Sequence, residues 1–195
     1  MSNALKADRR WRRLREGTWI TCPSCGAAHS GIFDLACDKP IHWPGPAEYS
    51  PNSIRSTSSH FLSQDFCALE GEDFFVRCVL ELPIQGAQDE SFSFGVWSSL
   101  SQKNFALYAE QFDRDDNETL GPWFGWFSNR LDGYPNTLNL KCQVHPRSGR
   151  CRPLIKLEPM DHPLACEQRD GITLDRLLEI YAAHGHDIGA ALLDA

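Results

Sequence analysis

The segment Cys22-Pro23-Ser24-Cys25-Gly26 constrains this chain more than any other, because it places two thiols two residues apart on a tight turn. Two cysteines at this spacing can bind one tetrahedral metal ion, and the following glycine lets the backbone turn beneath the sulfurs. His29 offers a third donor of the kind that zinc accepts. The sequence contains no second Cys-x-x-Cys pair, so distant residues must complete such a site. We predict a zinc-knuckle-like turn near the N-terminus.

The eight cysteines could instead form a disulfide framework, but the chain has no need of one. With 195 residues, of which 42% are hydrophobic and 23% charged, it can bury a substantial core of its own. The sequence has neither a run of about 18 apolar residues nor an apolar signal core at its N-terminus. We therefore expect a cytoplasmic protein with reduced thiols and no membrane span.

Charge is distributed unevenly along the chain. Residues 1–17 form a basic N-terminal arm with six cations, two acidic residues and a local net charge of +4, for which we predict a solvated, disordered tail. The whole chain carries −7, so the remainder carries about −11. The acidic charge therefore argues against nucleic acid as a partner, apart from the arm, and we expect another protein, of basic character, as the partner. The sequence does not indicate an oligomeric state.

Hydrophobic periodicity predicts an α+β fold. Residues 74–82 alternate between two faces, and residues 92–97, 123–127, 138–144 and 153–157 are further strand segments. Gly125 stands in an aromatic strand, where it would make room for a close neighbour. Ser101 and Thr173 are typical N-caps for two main helices. We predict one domain, residues 18–195, with a central antiparallel sheet of about five strands.

Two subregions precede the first long strand of this domain. Residues 18–37 contain the cysteine turn, and residues 38–60 contain four prolines, which exclude a continuous helix or a central strand. We interpret residues 38–60 as a long wrapping loop that Trp43 and Tyr49 attach to the core.

The sequence resembles a family of uncharacterised bacterial proteins, domain of unknown function 2199, from about residue 20 to residue 181. The resemblance rests on these stretches: Cys22-Pro23-Ser24-Cys25-Gly26 with His29, Gln64-Asp65-Phe66-Cys67, Phe74-Phe75-Val76-Arg77, Gly95-Val96-Trp97-Ser98-Ser99-Leu100-Ser101, Asn104-Phe105, Phe124-Gly125-Trp126, Asn129-Arg130-Leu131, Tyr134-Pro135, Leu138-Asn139-Leu140-Lys141, Val144-His145, Leu157-Glu158-Pro159, Asp161-His162-Pro163-Leu164 and Glu167-Gln168. The arm falls outside the resemblance, and the family name implies no activity.

The resemblance implies that a cysteine is usual for the family at positions 22, 25 and 67. We therefore predict zinc ligands at Cys22, Cys25, His29 and Cys67, although Cys37, His42 or His60 could replace one of them. Four protein ligands would leave no position for water, so the predicted zinc is structural.

A thiol redox function at Cys22 and Cys25 is an alternative interpretation. Such a motif normally opens a helix after a strand, whereas Gly26 and the loop after it do not begin a helix here.

A second alternative is a hydrolase-like enzyme with an acid-base site around His145, Asp161 and His162. The sequence residues that could form its polar pocket are Arg77, Arg130, His145, Glu158, Asp161 and His162. Adjacent residues on one element rarely face each other, and the chain has no His-Glu-x-x-His motif, so we do not favour an enzyme.

The function that the sequence favours is a non-catalytic binding module, stabilised by a structural zinc ion. One concrete version is an immunity protein that neutralises a bacterial toxin, because a small acidic domain without a catalytic motif suits that task.

Overall fold

The structure, a computed structural model, describes residues 3–114 and 116–194. Six helices lie in these ranges: α1 (Asn3–Ala7), α2 (Arg9–Arg15), α3 (Gln102–Gln111), α4 (Pro163–Asp170), α5 (Leu174–Ala183) and α6 (Ala191–Asp194). The strands are β1 (Ile20–Thr21), β2 (Ala28–His29), β3 (Leu35–Ala36), β4 (Phe61–Leu62), β5 (Phe66–Leu69), β6 (Asp73–Ile84), β7 (Ala87–Leu100), β8 (Trp123–Trp126), β9 (Lys141–His145) and β10 (Leu154–Leu157). None of the helices in the described ranges has the length and apolarity needed to cross a membrane.

The predicted α+β architecture is present, but the prediction of about five antiparallel strands is wrong in number and partly in direction. The main sheet has eight strands, in the order β3-β7-β6-β10-β9-β8, with β5 paired to β6 and β4 paired to β5. β3 pairs with β7 in parallel, and β10 pairs with β6 in parallel. The added strands have only two to four residues, too few for an alternating pattern to stand out in the sequence.

The long antiparallel hairpin of β6 and β7 forms the centre of the sheet. Its register confirms the predicted alternation: Cys78 faces Val96 and Leu80 faces Phe94 on one face, which we call the inner face. The inner face is buried. We call the opposite surface, which includes Val79 of β6, the outer face.

Helices α3 and α5 cover opposite ends of the inner face. Phe105 of α3 contacts Phe74, with ring centroids 5.0 Å apart, and Tyr181 of α5 contacts Phe92 at 5.6 Å. Both predicted N-caps are confirmed, because the side chains of Ser101 and Thr173 accept backbone N–H groups at the starts of α3 and α5. The structure adds α4 between them in sequence, so the count of two main helices was too low.

The basic arm differs from the predicted solvated tail, because residues 3–15 form α1 and α2. Trp11 is only 1% exposed and Leu14 is also buried, so α2 is held to the domain by apolar contacts. The guanidinium of Arg13 donates to the carbonyl oxygen of Leu192 in α6, at 3.2 Å. Residues 1 and 2, which belong to the same predicted arm, lie outside the described residues.

The loop of residues 38–60 lies on the outer face, at the end of the sheet nearest β4 and β5. It covers a small apolar cluster of Leu62, Cys67, Phe75 and Trp97. The loop includes one 3₁₀ turn, Asn52–Ser56.

Candidate metal centre

Strands β1 and β2 form a short hairpin around the cysteine turn. Ile20 lies opposite His29, and the Cys22 N–H donates to the carbonyl of Ala27 at 2.8 Å. The N–H of Gly26 donates back to the Cys22 carbonyl at 2.8 Å, with Gly26 at a φ of 73°. A left-handed φ of this kind favours glycine. The hairpin therefore places the side chains of Cys22, Cys25 and His29 beside one another.

A second histidine reaches the same place from the C-terminal segment. After α5 ends, the His186 N–H donates to the carbonyl of Tyr181 at 2.8 Å, which folds the chain back over the helix end. The Asp187 N–H donates to Ser24 Oγ at 3.3 Å, so this segment touches the cysteine turn directly. The contact joins positions that are 163 residues apart.

Four potential ligand atoms converge as a result. One donor atom each from Cys22, Cys25, His29 and His186 lies within 4.8 Å of every other. Cys25 Sγ is 3.3 Å from His29 Nε2. Donors around a tetrahedral zinc ion lie roughly 3.3 to 3.8 Å apart, so shifts of about 1 Å would complete the geometry.

Stacked aromatic rings hold the two histidines in place. The His29 ring stacks on Phe33 at 4.3 Å between centroids, and Phe33 stacks on Tyr181 at 4.1 Å. The Tyr181 hydroxyl donates to the Phe33 carbonyl and accepts from the Phe33 N–H. His186 meets His29 edge to face at 4.9 Å. The stack fixes the hairpin against α5, which is the kind of support that orients a metal ligand.

The environment of Cys22 and His186 suits metal binding. Burial raises the pKa of the Cys22 thiol, but the backbone N–H groups of Cys25 and Ser24 outweigh it, so that the pKa falls below its ordinary value. Burial, reinforced by His29 and His184, lowers the pKa of His186. Thiolate and neutral imidazole are the forms that bind metal ions.

One atom of the site is left without a partner. His186 Nδ1 is buried and has no hydrogen-bond partner within the described residues. A buried ring nitrogen without a hydrogen-bond partner destabilises the folded state, and binding to a metal ion or to a proton acceptor would remove that penalty. Two sulfur and two nitrogen donors form the set that zinc prefers.

A family model confirms the resemblance found in the sequence. The model described as "Uncharacterized protein conserved in bacteria (DUF2199)" matches residues 21–172. This chain belongs to the DUF2199 family. No curated protein and no solved structure matches it.

The DUF2199 match includes only three of the four residues of the candidate metal centre. Cys22, Cys25 and His29 lie inside the matched residues, whereas His186 lies beyond their end, together with α5 and α6. The donor that completes the cluster therefore comes from outside the part of the chain that the family model covers.

Cys67, the fourth ligand predicted from the sequence, does not join the cluster. It lies on β5 opposite Phe75, fully buried in the apolar cluster on the outer face. Burial raises the pKa of the Cys67 thiol to about 12. The three possible replacements are elsewhere as well: Cys37 lies beside that cluster, His42 stacks on Phe75, and His60 contacts Trp43.

His186 was not among the predicted ligands, because it lies far along the chain from Cys22, Cys25 and His29 and shows no ligand spacing to them. The available signal was the pair His184-Gly185-His186 directly after an amphipathic helix. Gly185 has a φ of 82° and ends the helix, which lets the second histidine turn back toward the hairpin.

The six residues of the predicted polar pocket are dispersed in the DUF2199 chain. Arg77 is buried and donates to the Cys37 carbonyl, while Arg130 and Asp161 are exposed. Glu158 accepts from Gln143, and His162 Nδ1 caps α4 by accepting from the Leu164 N–H. His145 lies on β9 opposite Leu154, and burial, together with Lys156, lowers its pKa. No hydrogen bond or ion pair among the described residues joins two of the six.

Proposed function

We propose that this DUF2199 protein is a non-catalytic binding module whose N-terminal hairpin and C-terminal segment are clasped together by a structural zinc ion. The observation that carries the proposal is the convergence of Cys22, Cys25, His29 and His186, whose donor atoms lie within 4.8 Å of one another. Two donors are sulfur and two are imidazole nitrogen, which favours zinc over calcium or magnesium.

The geometry supports a structural role for the ion. A zinc ion with four protein ligands has no position for a reacting water, so it contributes folding free energy instead of a nucleophile. The four donors also come from opposite ends of the chain. A cross-link between distant residues closes a long loop, and the entropy that the unfolded chain loses on closure increases with the length of that loop.

The structure gives less support to the two enzymatic alternatives. The two cysteines lie in a hairpin turn between β1 and β2, whereas a redox dithiol normally opens a helix. The residues of the hydrolase alternative are dispersed, as described above. The binding interpretation draws on charge instead: the chain carries −7, which favours a basic protein as its partner.

The metal is tested by elemental analysis of the purified protein. We expect about one zinc per chain in the wild type and a loss of bound zinc in Cys22→Ser, Cys25→Ser, His29→Ala and His186→Ala. Cys67→Ser and His184→Ala are matched controls that should keep the metal. Zinc lost from Cys67→Ser but kept by His186→Ala would show that the ligand set is the one predicted from the sequence. A metal-free wild type, purified with zinc in the medium, would refute the clasp.

The binding function is tested separately by chemical crosslinking in a lysate of the native cell, at controlled salt concentrations. A basic partner should be crosslinked at low ionic strength, and the yield should fall as salt screens the contact. Crosslinking that is insensitive to salt, or partners that are acidic, would contradict the proposed charge complementarity.

A further inference from the structure

The two cysteines of the candidate metal centre differ in their access to solvent. Cys22 is fully buried, whereas Cys25 is exposed. Their sulfur atoms nevertheless lie within 4.8 Å of each other, because both residues belong to the turn between β1 and β2. An accessible thiol with a second thiol beside it is typical of redox-sensing cysteines, in which an oxidant reacts with the first sulfur and the second closes a disulfide.

The hairpin can accommodate a disulfide between these two residues. A disulfide bond is about 2.05 Å long, so sulfurs that lie within 4.8 Å must approach each other by at most about 3 Å. The hydrogen bonds that close the turn join backbone atoms, from the Cys22 N–H to the Ala27 carbonyl and from the Gly26 N–H to the Cys22 carbonyl. Rotation of the two cysteine side chains therefore brings the sulfurs together without breaking these bonds.

The same two sulfurs are half of the donors of the proposed zinc site. If Cys22 and Cys25 are joined, only His29 and His186 of the four-residue cluster keep a free donor atom. Zinc is bound by the thiolate form of cysteine, which a disulfide no longer provides. Two imidazoles alone do not complete a closed tetrahedral site, so bound zinc and the disulfide exclude each other.

The C-terminal segment depends on this site for its position. His186 and the hydrogen bond from the Asp187 N–H to Ser24 Oγ join the segment to the cysteine turn. α6 in turn packs against α2 and β1, and Arg13 of α2 donates to the Leu192 carbonyl. The Leu192 side chain is fully buried. Loss of the metal should therefore loosen α6 and uncover apolar surface beneath it.

We propose that the clasp is a peroxide-sensitive switch, in which oxidation of Cys22 and Cys25 to a disulfide releases zinc and detaches the segment from residue 184 to α6. This regulation rests on the proposed function, because it requires that the clasp holds zinc. It uses one peroxide per chain and no catalytic turnover, so it does not need the helix after the motif that a redox enzyme normally has.

The oxidation is a two-electron reaction with hydrogen peroxide. The Cys25 thiolate attacks one peroxide oxygen, the O–O bond breaks, and hydroxide leaves, which converts Cys25 to a sulfenic acid. The Cys22 thiolate then attacks the Cys25 sulfur, the S–S bond forms, the S–O bond breaks, and a second hydroxide leaves. Each sulfur is oxidised by one electron, and the peroxide is reduced to two hydroxide ions, which become water on protonation.

Zinc release and disulfide formation are measured together on the purified wild type. Elemental analysis first gives the zinc content, and hydrogen peroxide is then added while a colorimetric chelator reports released metal. Peptide mass spectrometry with fragmentation locates the disulfide. We expect about one zinc released for each Cys22–Cys25 disulfide formed, and dithiothreitol with added zinc should restore the starting state.

Cys25→His separates metal binding from oxidation. It replaces a sulfur donor by a nitrogen donor, so it should still bind zinc, although more weakly, but it cannot form the disulfide. Peroxide should release its zinc at least about tenfold more slowly than that of the wild type. Cys22→His gives the same comparison if Cys25→His does not fold. Cys151→Ser is the matched control, because Cys151 is also exposed but lies between β9 and β10, and it should leave zinc release unchanged.

Hydrogen exchange shows which part of the chain the switch releases. After oxidation, exchange in α2 and in the segment from residue 184 to α6 should quicken at least about tenfold. Residues 20–29 should stay better protected than in chelator-treated protein, because the disulfide constrains the hairpin turn. Reduction with dithiothreitol in the presence of zinc should reverse the change.

The possible outcomes distinguish this switch from the proposed function. A wild type that binds no zinc would refute the clasp, and the switch with it. A zinc-loaded protein that keeps its metal at peroxide concentrations that oxidise Cys151 would refute the switch alone. Zinc release without a Cys22–Cys25 disulfide, or release from Cys25→His at the wild-type rate, would also overturn the switch and leave the clasp intact.

Discussion

Gly125 shows how a single residue lets the sheet curl upon itself. A Cβ atom at this position would lie 2.3 Å from Ser98 Oγ and 2.4 Å from the Ser99 carbonyl oxygen, closer than real Cβ contacts. The close approach predicted from its place in an aromatic strand is confirmed. Because backbone is one of the two obstacles, a side chain here cannot be accommodated by a rotamer change alone.

Gly125→Ala should therefore destabilise the protein by about 1–3 kcal/mol or more through overpacking. Urea unfolding measures this change in the free energy of unfolding. Gly45→Ala is the control, because its nearest neighbour beyond the adjacent residues is a Trp43 side-chain atom at 3.9 Å. Equal effects from the two substitutions would argue against the close contact at position 125.

Burial separates the cysteines into reactive and protected groups. Desolvation raises the pKa of Cys67 and of Cys142 to about 12, and that of Cys78 well above its usual value. The thiolate is the reactive form, so these three should resist alkylation at neutral pH and gain reactivity only at strongly alkaline pH. Cys151 is exposed and should react.

Pulse alkylation followed by peptide mass spectrometry tests this order. Cys25 is exposed, and we expect it to react quickly only after a chelator removes the metal. Labelling of Cys25 at one rate with and without chelator would contradict its assignment as a ligand. Rapid labelling of Cys67 in the folded protein would contradict its burial.

At the scale of elements, the clasp connects parts of the chain that have little regular structure of their own. β1 and β2 have two residues each, and α6 has four. Such short elements cannot be stable alone, since an isolated two-stranded hairpin or a single helical turn is marginal in water. Their positions depend on the core and, in our proposal, on the metal.

Metal removal should loosen these elements selectively. With chelator, amide hydrogen exchange in β1, β2 and the segment from residue 184 to α6 should quicken at least about tenfold, while β6 and β7 should keep their protection. Hydrogen exchange with mass spectrometry gives the comparison. Uniform acceleration through the whole sheet, or none in the hairpin, would contradict a local clasp.

The helical arm is attached to the domain mainly through Trp11, whose side chain is buried in the core. Trp11→Ala should cost about 3–5 kcal/mol of stability, since it leaves a cavity under α2. Trp19→Ala is the matched control and should change stability by less than about 0.5 kcal/mol, because Trp19 is exposed. Chemical denaturation measures both, and a small effect of Trp11→Ala would indicate that the arm contributes little to the fold.

At the scale of the whole molecule, the stability of the folded protein should increase with the concentration of free zinc, because zinc binds the folded state. Free zinc at about a thousand times its Kd should stabilise the folded state by about 4 kcal/mol, or about 10 °C in Tm for a chain of this size. The difference in Tm between zinc and chelator is the measurement. Cys67→Ser should lower both values but preserve the difference, whereas His186→Ala should abolish it.

The sequence alone determined the features that depend on neighbouring residues. The alternation of residues 74–82, the caps at Ser101 and Thr173, the family and the pairing of Cys22, Cys25 and His29 all follow from spacings of a few residues. At such spacings, backbone periodicity and side-chain chemistry dictate the geometry. Sheet size, strand direction and the docking of the arm did not follow, because short strands and a charged helix carry weak local signals.

Tertiary structure decided the fourth member of the cluster. His186 and Cys67 are both plausible donors by residue type, and the turn signal at Gly185 does not tell which distant residues His186 meets. Cys67 lies on β5, and its side chain packs under the wrapping loop. The turn after α5, in contrast, places His186 next to the hairpin. Which residues distant in sequence meet is set by how the helices and the sheet pack, and that information is distributed over the entire core.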